Sequence, residues 1–318
     1  MSRALWLRGS DFDMVAAREP HAVGPMSQFF IRATPLTFAW LWSLGFVVGK
    51  YAVADAEPFT FLSARFGIAA LVLALVAWVS GARWPARGKD TAHSMVAGML
   101  LHGGYVGGVW WAIAAGLPIG ISALITAGQP LLTALLAAPL LGERLSVRQW
   151  IGIVTGFVGI VLVLAPRLTG VELASLGRVL LPITVCFGAM VSVTLGTFYQ
   201  KHFVPASDLR TGTCLQYVGA VAVVVPMALM TESLRFDPTP SLLASLAFAV
   251  LVLSIAAVGL LLLMIRRGEV SRVAALIYLV PPLTAVEAYL LFGESLNAVQ
   301  IAGMAVTAVG VWLATRRT

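Results

Sequence analysis

Charged residues are scarce in this sequence. Only 11% of its 318 residues are charged, 59% are hydrophobic, and the mean hydropathy is +0.93. Soluble globular domains carry about 25% charged residues. The shortage of charge therefore excludes an ordinary soluble domain and indicates a chain that lies largely in lipid.

Cysteines and enzyme motifs are also scarce. Cys186 and Cys214 both fall in apolar stretches, which predicts small packing residues rather than a disulfide or a metal pair. The sequence has no zinc-ligand spacing, no Walker phosphate-binding loop and no Ser/His/Asp set supported by nearby acids. We therefore expect no enzyme activity, no cofactor, no metal site and no ATPase subunit.

Ten apolar stretches are present instead, each about 20 residues long, which is the length that crosses a bilayer. They predict an all-α membrane protein with ten transmembrane helices, at residues 34–53, 58–80, 92–114, 118–141, 147–165, 178–200, 208–231, 241–264, 270–292 and 297–315. Residues 1–33 are polar, so we expect a disordered cytoplasmic tail. A start at Met26 would remove nothing structural.

The basic residues predict the orientation of these helices. The net charge of +7 includes 21 Lys and Arg residues, which are spread over short loops. Proteins that bind nucleic acid cluster such residues in one patch, so no nucleic-acid partner is expected. With a cytoplasmic N-terminus, sixteen basic residues lie inside and three outside, while Lys50 and Arg65 lie within helices. This asymmetry follows the positive-inside rule and predicts that both termini are cytoplasmic.

An internal repeat divides the chain. Residues 123–163 match residues 274–314 at 15 of 41 ungapped positions. Each half contains five predicted helices, an odd number, so the second half must be inverted in the membrane. The loop charges agree, because Arg144 and Arg148 of the first copy align with uncharged residues of the second. We predict two inverted five-helix repeats, 34–165 and 178–318, joined by a linker at 166–177, with alternating access to a site near the midplane.

Several motifs are similar to those of a known family. They are Trp42-Ser43-x-x-Phe46-x-x-x-Lys50, Pro58, Arg65-Phe66, Pro130-Leu131, Gly142-Glu143-Arg144-Leu145, Pro281 and Gly293-Glu294-Ser295-Leu296. The chain thereby resembles the drug/metabolite transporter superfamily, in particular its EamA-type ten-helix exporters. Ser43-Leu44-Gly45 departs from the Gly-Ser-Asn-like run more usual there. The resemblance implies export of small metabolites across the inner membrane, with amino acids a frequent class and aromatic amino acids one branch.

Six side chains near the middle of predicted helices are candidates for substrate binding: His102, Tyr105, Gln129, Gln216, Tyr217 and Tyr278. Polar groups in lipid are costly and usually face a cavity or a neighbouring helix. The set carries no fixed charge, so it suits an uncharged or zwitterionic molecule with an apolar or aromatic side chain. Hydrogen bonding between helices is the structural alternative for each residue, and a proton-linked role is a second interpretation of His102.

Five further residues are candidates for gating or coupling: Lys50, Arg65, Glu287, Pro130 and Pro281. Snorkelling toward the outer surface would explain Lys50 and Arg65, whereas Glu287 is the only carboxylate well inside a predicted helix. We hypothesise that Glu287 pairs with Lys50 or Arg65 when the outer side is closed, or neutralises an amino group in transit. Pro130 and Pro281 predict bends in helices four and nine, since proline removes a backbone hydrogen bond.

The sequence leaves some alternatives open. Gly152, Gly156 and Gly159, with Gly303 and Gly310, predict close helix packing within the bundle or at a dimer face, so a monomer and a homodimer are both compatible. The leading prediction is an exporter whose partners are the lipid bilayer and a small-molecule substrate. A carrier of drugs or sugar-type metabolites, a channel, and a membrane-embedded enzyme acting on a lipid-linked substrate are the alternatives.

Overall fold

The computed structural model describes residues 25–141, 146–168, 176–204, 208–260 and 279–315. Its helices are α1 (Pro25–Asp55), α2 (Pro58–Val79), α3 (Gly88–Ala114), α4 (Ile119–Ala127), α5 (Gln129–Leu141), α6 (Val147–Leu168), α7 (Leu176–Phe203), α8 (Leu209–Thr231), α9 (Pro240–Leu260), α10 (Val280–Phe292) and α11 (Ala298–Thr315). The only strand-like pairing in these ranges is one isolated antiparallel bridge between Ala56 and Phe236.

The helices follow the predicted apolar stretches. Seven of them, α1–α3 and α6–α9, are long and apolar enough to cross a membrane, and shorter apolar helices lie at Ile119–Thr133, Val280–Phe292 and Ala298–Ala314. Helix α1 begins at Pro25, inside the predicted tail, because proline suits the first turn of a helix. The end of predicted segment eight and the start of segment nine fall at 261–278, outside the described residues.

The two prolines predicted to bend helices four and nine lie at helix starts. Gly128 separates α4 from α5, and Pro130 is the second residue of α5. Pro281 is likewise the second residue of α10. The N–H groups of a helix's first turn have no partner within the helix. A proline there removes no hydrogen bond, so it begins a helix without strain. Both prolines therefore stand in the first turn of a helix. Residues 261–278, which precede α10, lie outside the described part, and the bends stay predictions.

Helices α6 and α11 form the most extensive helix pair and run antiparallel. Gly152 lies against Gly310, and Gly159 lies against Gly303. A Cβ on any of these four glycines would lie 2.7 Å from the carbonyl oxygen of its partner. Because real Cβ atoms do not approach so closely, only glycine allows these backbones to touch. The glycines thus serve packing within the bundle, the first of the two predicted roles.

The same two helices begin with matching caps. At the start of α6, the N–H of Ser146 donates to Gln149 Oε1 at 2.8 Å, and the N–H of Gln149 donates to Ser146 Oγ at 3.3 Å. At the start of α11, Asn297 and Gln300 make the same exchange, at 3.0 and 2.9 Å. Such reciprocal bonds satisfy two N–H groups that a helix start leaves free. The repeat thus preserves a local structural device as well as residue types.

Carboxylates from the second half fasten one end of the bundle. Glu232 accepts hydrogen bonds at 2.8 Å from the N–H groups of Phe59 and Thr60, in the first turn of α2. Glu294 accepts one at 3.2 Å from the N–H of Ile119, the first residue of α4. Negative groups stabilise helix N-termini because the free N–H groups there carry partial positive charge. Two helices of the first half are therefore capped by acids of the second.

Candidate functional site

A cavity of about 810 Å³ lies between helices of both halves. Its volume falls within the range of roughly 300–1,000 Å³ that small-molecule pockets occupy. It extends from Arg65 and Trp110 to Lys201 and Leu209, at the end where α7 and α8 connect. The end fastened by Glu232 and Glu294 lies on the other side of Arg65, and the described lining of the cavity reaches only the opposite end of the bundle.

Two π-helical stretches form part of the cavity wall. Met99–Gly104 in α3 contains His102, and Ala249–Ala257 in α9 contains Leu253, both of which line the cavity. The stretches lie close to 151 residues apart, which is the offset of the sequence repeat. A π-helical turn widens the helix and is frequent at functional sites. The wide turns at His102 and Leu253 therefore shape the same cavity from opposite halves.

A polar chain joins three helices around the cavity. His102 Nε2 lies 3.4 Å from Gln216 Oε1, and Gln216 Nε2 donates to Gln200 Oε1 at 3.3 Å. Gln129 Nε2, at the start of α5, donates to Thr197 Oγ1 at 3.4 Å. The imidazole and the three amide side chains of this set all line the cavity. The hydrogen bonds between His102, Gln216 and Gln200 link α3, α8 and α7, so a change in the spacing of these helices would change the bond lengths.

Four of the six predicted binding residues meet in the cavity: His102, Tyr105, Gln129 and Gln216. Tyr217 lies behind the wall, 1% exposed, with its ring stacked on Phe66 at 5.5 Å and its hydroxyl donating to the carbonyl oxygen of Ser254 at 2.8 Å. It supports the wall and does not line the cavity. Tyr278 lies outside the described residues.

The structure corrects the snorkelling interpretation of Arg65. This side chain is 7% exposed and lines the cavity. Its Nε donates to Ser254 Oγ at 3.0 Å, and its guanidinium carbon lies 5.5 Å from the ring centroids of Phe66 and Trp110. Cation–π contacts of this kind favour a desolvated guanidinium. The cavity therefore contains a fixed positive charge. The six binding residues predicted from the sequence included no such charge.

The hypothesised pairing of Glu287 with Lys50 or Arg65 is absent. Glu287 Oε1 accepts a hydrogen bond from Ser43 Oγ at 2.8 Å, and its Oε2 is buried without a partner among the described residues. Lys50 Nζ instead lies 3.3 Å from Glu294 Oε1. The described residues that line the cavity do not include Lys50, Glu287, Pro130 or Pro281.

Sequence reasoning missed several lining residues. Trp42 and Phe46 of α1 face the cavity but entered the prediction only as motif residues. Gln200 stood at the predicted end of segment six, whereas α7 continues to Phe203 and places Gln200 within the wall. The basic residue that follows it, Lys201, was assigned to a loop and lines the cavity at its end. A longer helix in the prediction would have included Lys201 as well.

Comparison with known proteins identifies the family. The model of the EamA-like transporter family matches residues 33–165 and again residues 180–316. A probable amino-acid metabolite efflux pump of Salmonella typhimurium is 27% identical over 285 residues, covering 86% of this chain and 90% of the relative. The Escherichia coli protein of the same description is 26% identical with the same coverage.

Other similar proteins agree in class. An uncharacterized transporter of Bacillus subtilis is 26% identical over 300 residues, covering 92% of this chain and 95% of the relative. One solved crystal structure is similar with a TM-score of 0.60 and 19% identity, covering 89% of this chain and 95% of that one. At this identity the likeness concerns the fold alone.

Proposed function

The chain belongs to the EamA-like transporter family, and from that premise we propose that it exports amino acids with aromatic or apolar side chains from the cytoplasm. It is a multi-pass transporter of the cell inner membrane. The relatives described as amino-acid metabolite efflux pumps support this class of substrate.

The cavity between the halves is the observation on which the proposal rests. Its lining combines hydrogen-bonding groups, including His102 and Gln216, with the aromatic faces of Trp42, Phe46 and Trp110. Small-molecule sites have this composition, an apolar wall with a few placed polar groups. A zwitterionic amino acid with an aromatic side chain matches both parts of the lining.

Alternating access of two inverted halves, at 34–165 and 178–318 with a linker at 166–177, is the mechanism we propose. The family model matches the chain twice, once in each half. The antiparallel α6–α11 pair, the matching caps and the two π-helical stretches support a two-fold relation between halves. With the termini in the cytoplasm, the cavity faces inward, and rocking of the halves would expose it outside.

The same aromatic faces favour one second candidate, a carrier of aromatic drugs. Trp42, Phe46 and Trp110 would stack on a drug ring as well as on an amino-acid side chain. A cationic drug would bring its positive charge beside Arg65, which lines the same cavity, without the carboxylate that offsets the ammonium group of an amino acid. This repulsion makes the amino acid the better candidate.

Efflux from proteoliposomes tests the proposal. Vesicles containing the purified protein are loaded with radiolabelled phenylalanine, tryptophan, leucine, glucose or a cationic aromatic dye. We expect saturable efflux of the amino acids that exceeds efflux from protein-free vesicles. Efflux of the dye or glucose alone would reject the amino-acid assignment. Imposing a pH gradient on the same vesicles distinguishes proton coupling from facilitated diffusion.

A further inference from the structure

We propose that Arg65 is the carboxylate-binding residue of the cavity, so that the substrate must be an organic acid and need not carry an amino group. This inference rests on the proposed function and narrows it. It concerns which part of the transported molecule the protein recognises by charge.

The described residues hold the guanidinium of Arg65 from one side only. Its Nε–H donates to Ser254 Oγ at 3.0 Å, while Phe66 and Trp110 flank its carbon at 5.5 Å. Arginine has five N–H donors, and no hydrogen bond joins its two terminal nitrogens to a described residue. Those nitrogens belong to a side chain that lines the cavity. A ligand in the cavity can therefore reach the open edge of the guanidinium.

No acidic side chain among the described residues balances this charge. The acids of the described part that form ion pairs do so with Lys50, Arg210 and Arg235, and Glu287 bonds to Ser43. The described lining of the cavity contains no Asp or Glu, but does contain Arg65 and Lys201. A desolvated cation without a counter-ion is costly. An anionic ligand would supply the missing partner.

A carboxylate fits the open edge of the guanidinium. Two parallel N–H···O bonds form between arginine and a carboxylate, and both the planarity and the charge of the pair match. By contrast, the described lining offers no acid to neutralise an ammonium group. Gln129, Gln216 and His102 line the cavity and can form hydrogen bonds with an amine, but they do not neutralise its charge. We therefore expect the carboxylate to be required and the amine to be dispensable.

Ser254 is a positioning residue for this site. It accepts the Nε–H of Arg65 through its hydroxyl, and its carbonyl accepts the hydroxyl of Tyr217 at 2.8 Å. Ser254 lies in the π-helical stretch of α9. Substrate bound to Arg65 would thus be connected directly to a helix of the second half, and a movement of α9 would move the guanidinium.

Four compounds that share a phenyl ring test the proposal in proteoliposomes: phenylalanine, phenylpropionate, phenylalaninamide and phenylethylamine. Efflux is measured together with the thermal shift that each compound causes in purified protein. For the wild type we expect transport and a thermal shift with the two acids, and at least about tenfold weaker effects with the amide and the amine. Charge-assisted hydrogen bonds of this kind change affinity by roughly 10- to 100-fold.

Variants of Arg65 and of a matched arginine complete the test. We expect Arg65→Gln to remove the preference for acids, and Arg65→Lys to weaken acid binding about tenfold because lysine lacks the planar fork. Arg148 also lies over a tryptophan, Trp312, at 5.4 Å, but not at the cavity. Arg148→Gln should therefore keep the preference.

The outcomes separate this proposal from the function it rests on. Acid-specific thermal shifts without efflux would reject export and support the role of Arg65. Efflux that is equal for phenylalanine and phenylalaninamide in the wild type would overturn the role of Arg65 and leave export standing, whether or not the variants fold. Acid preference that persists in folded Arg65→Gln would also overturn it.

Discussion

Lys50 Nζ in α1 lies 3.3 Å from Glu294 Oε1, just beyond the end of α10. Seven residues earlier in both helices, Ser43 Oγ donates to Glu287 Oε1 at 2.8 Å. Seven residues are two helical turns, so α1 and α10 run parallel and contact each other at two levels. Neither pair lines the cavity, and the Lys50–Glu294 pair joins α1 to the end of the bundle that Glu232 and Glu294 fasten.

Breaking the Lys50–Glu294 pair should open that end more often. A partly exposed ion pair contributes roughly 0.2–1 kcal/mol, and 1 kcal/mol is about a fivefold change in an equilibrium. Gly45 lines the cavity with open space at its Cβ position, so Gly45→Cys reports accessibility. We expect Glu294→Gln to raise the rate at which an impermeant external maleimide labels this cysteine, by up to about fivefold.

Two controls accompany this experiment. Exchanging the charges, with Lys50→Glu and Glu294→Lys together, should bring labelling back toward the starting rate. Asp208→Asn removes an ion pair with Arg210 at the opposite end and should not increase external labelling. Labelling of the Glu294→Gln variant at the unchanged rate would show that the pair does not hold this end closed.

The contact of α6 with α11 should tolerate no side chain larger than glycine. A valine at Gly159 or Gly303 would push the two backbones apart, because the carbonyl oxygen of the partner lies 2.7 Å from the new Cβ. Overpacking costs roughly 1–3 kcal/mol, so we expect a clearly lower Tm in detergent for each variant. Gly188→Val is the matched control, since nothing lies within 4 Å of that Cβ. Equal Tm values for all three variants would contradict close packing.

The all-helical, membrane-spanning character of the chain was predictable from the sequence, whereas the direction in which each side chain points was not. Apolar length gives the depth of a residue in the membrane, but not its direction around the helix. Gln216 and Tyr217 have nearly the same depth, yet neighbours point about 100° apart, so only Gln216 lines the cavity. Arg65 likewise has the depth of a snorkelling residue but points inward, against Trp110.

The partners of Lys50 and Glu287 depend on how far α1 is shifted along α10. A single sequence does not give this register between helices. Depth alone made Lys50 and Arg65 equally good partners for Glu287. In the structure α1 is placed so that Ser43, two turns before Lys50, faces Glu287. Lys50 therefore meets Glu294 instead. The packing glycines were more predictable, because their spacing recurs in both copies of the repeat.

Glu57 should make stability depend on pH at the fastened end of the bundle. The N–H of Arg235 donates to its Oε2 at 2.8 Å and, with bonds from Ser233, holds the pKa of Glu57 below its usual value against an opposing effect of burial. A lowered pKa stabilises the fold above the unfolded-state pKa of about 4.3, and this contribution is lost as pH falls through the folded-state pKa. We expect Glu57→Gln to lower Tm near neutral pH and to approach the wild type in acid.

The Tm difference between wild type and Glu57→Gln, measured from about pH 7 to about pH 3, checks this sign. Ser233→Ala removes one of the hydrogen bonds to Glu57, so the pKa of Glu57 should rise toward its usual value and the difference should shrink. A Tm difference that stays constant or grows as pH falls would contradict the assignment.

Glu287 remains the candidate for coupling, and its hydrogen bonds suggest how it would act. The hydroxyl of Ser43 has one proton but two acceptors within 2.8 Å, Glu287 Oε1 and the carbonyl oxygen of Trp40. A protonated Glu287 would resolve this by donating to Ser43, which could then donate to Trp40. An ionised Glu287 would compete with Trp40 for the same proton.

We therefore expect Glu287→Gln, which cannot release a proton, to lower export and to flatten its dependence on pH. Efflux of phenylalanine from proteoliposomes at several pH values measures both effects. Thr284→Val, at a fully buried residue one turn earlier, should keep the pH profile of the wild type. Export by Glu287→Gln that equals the wild type at every pH would remove coupling from this residue and leave it a structural contact between α10 and α1.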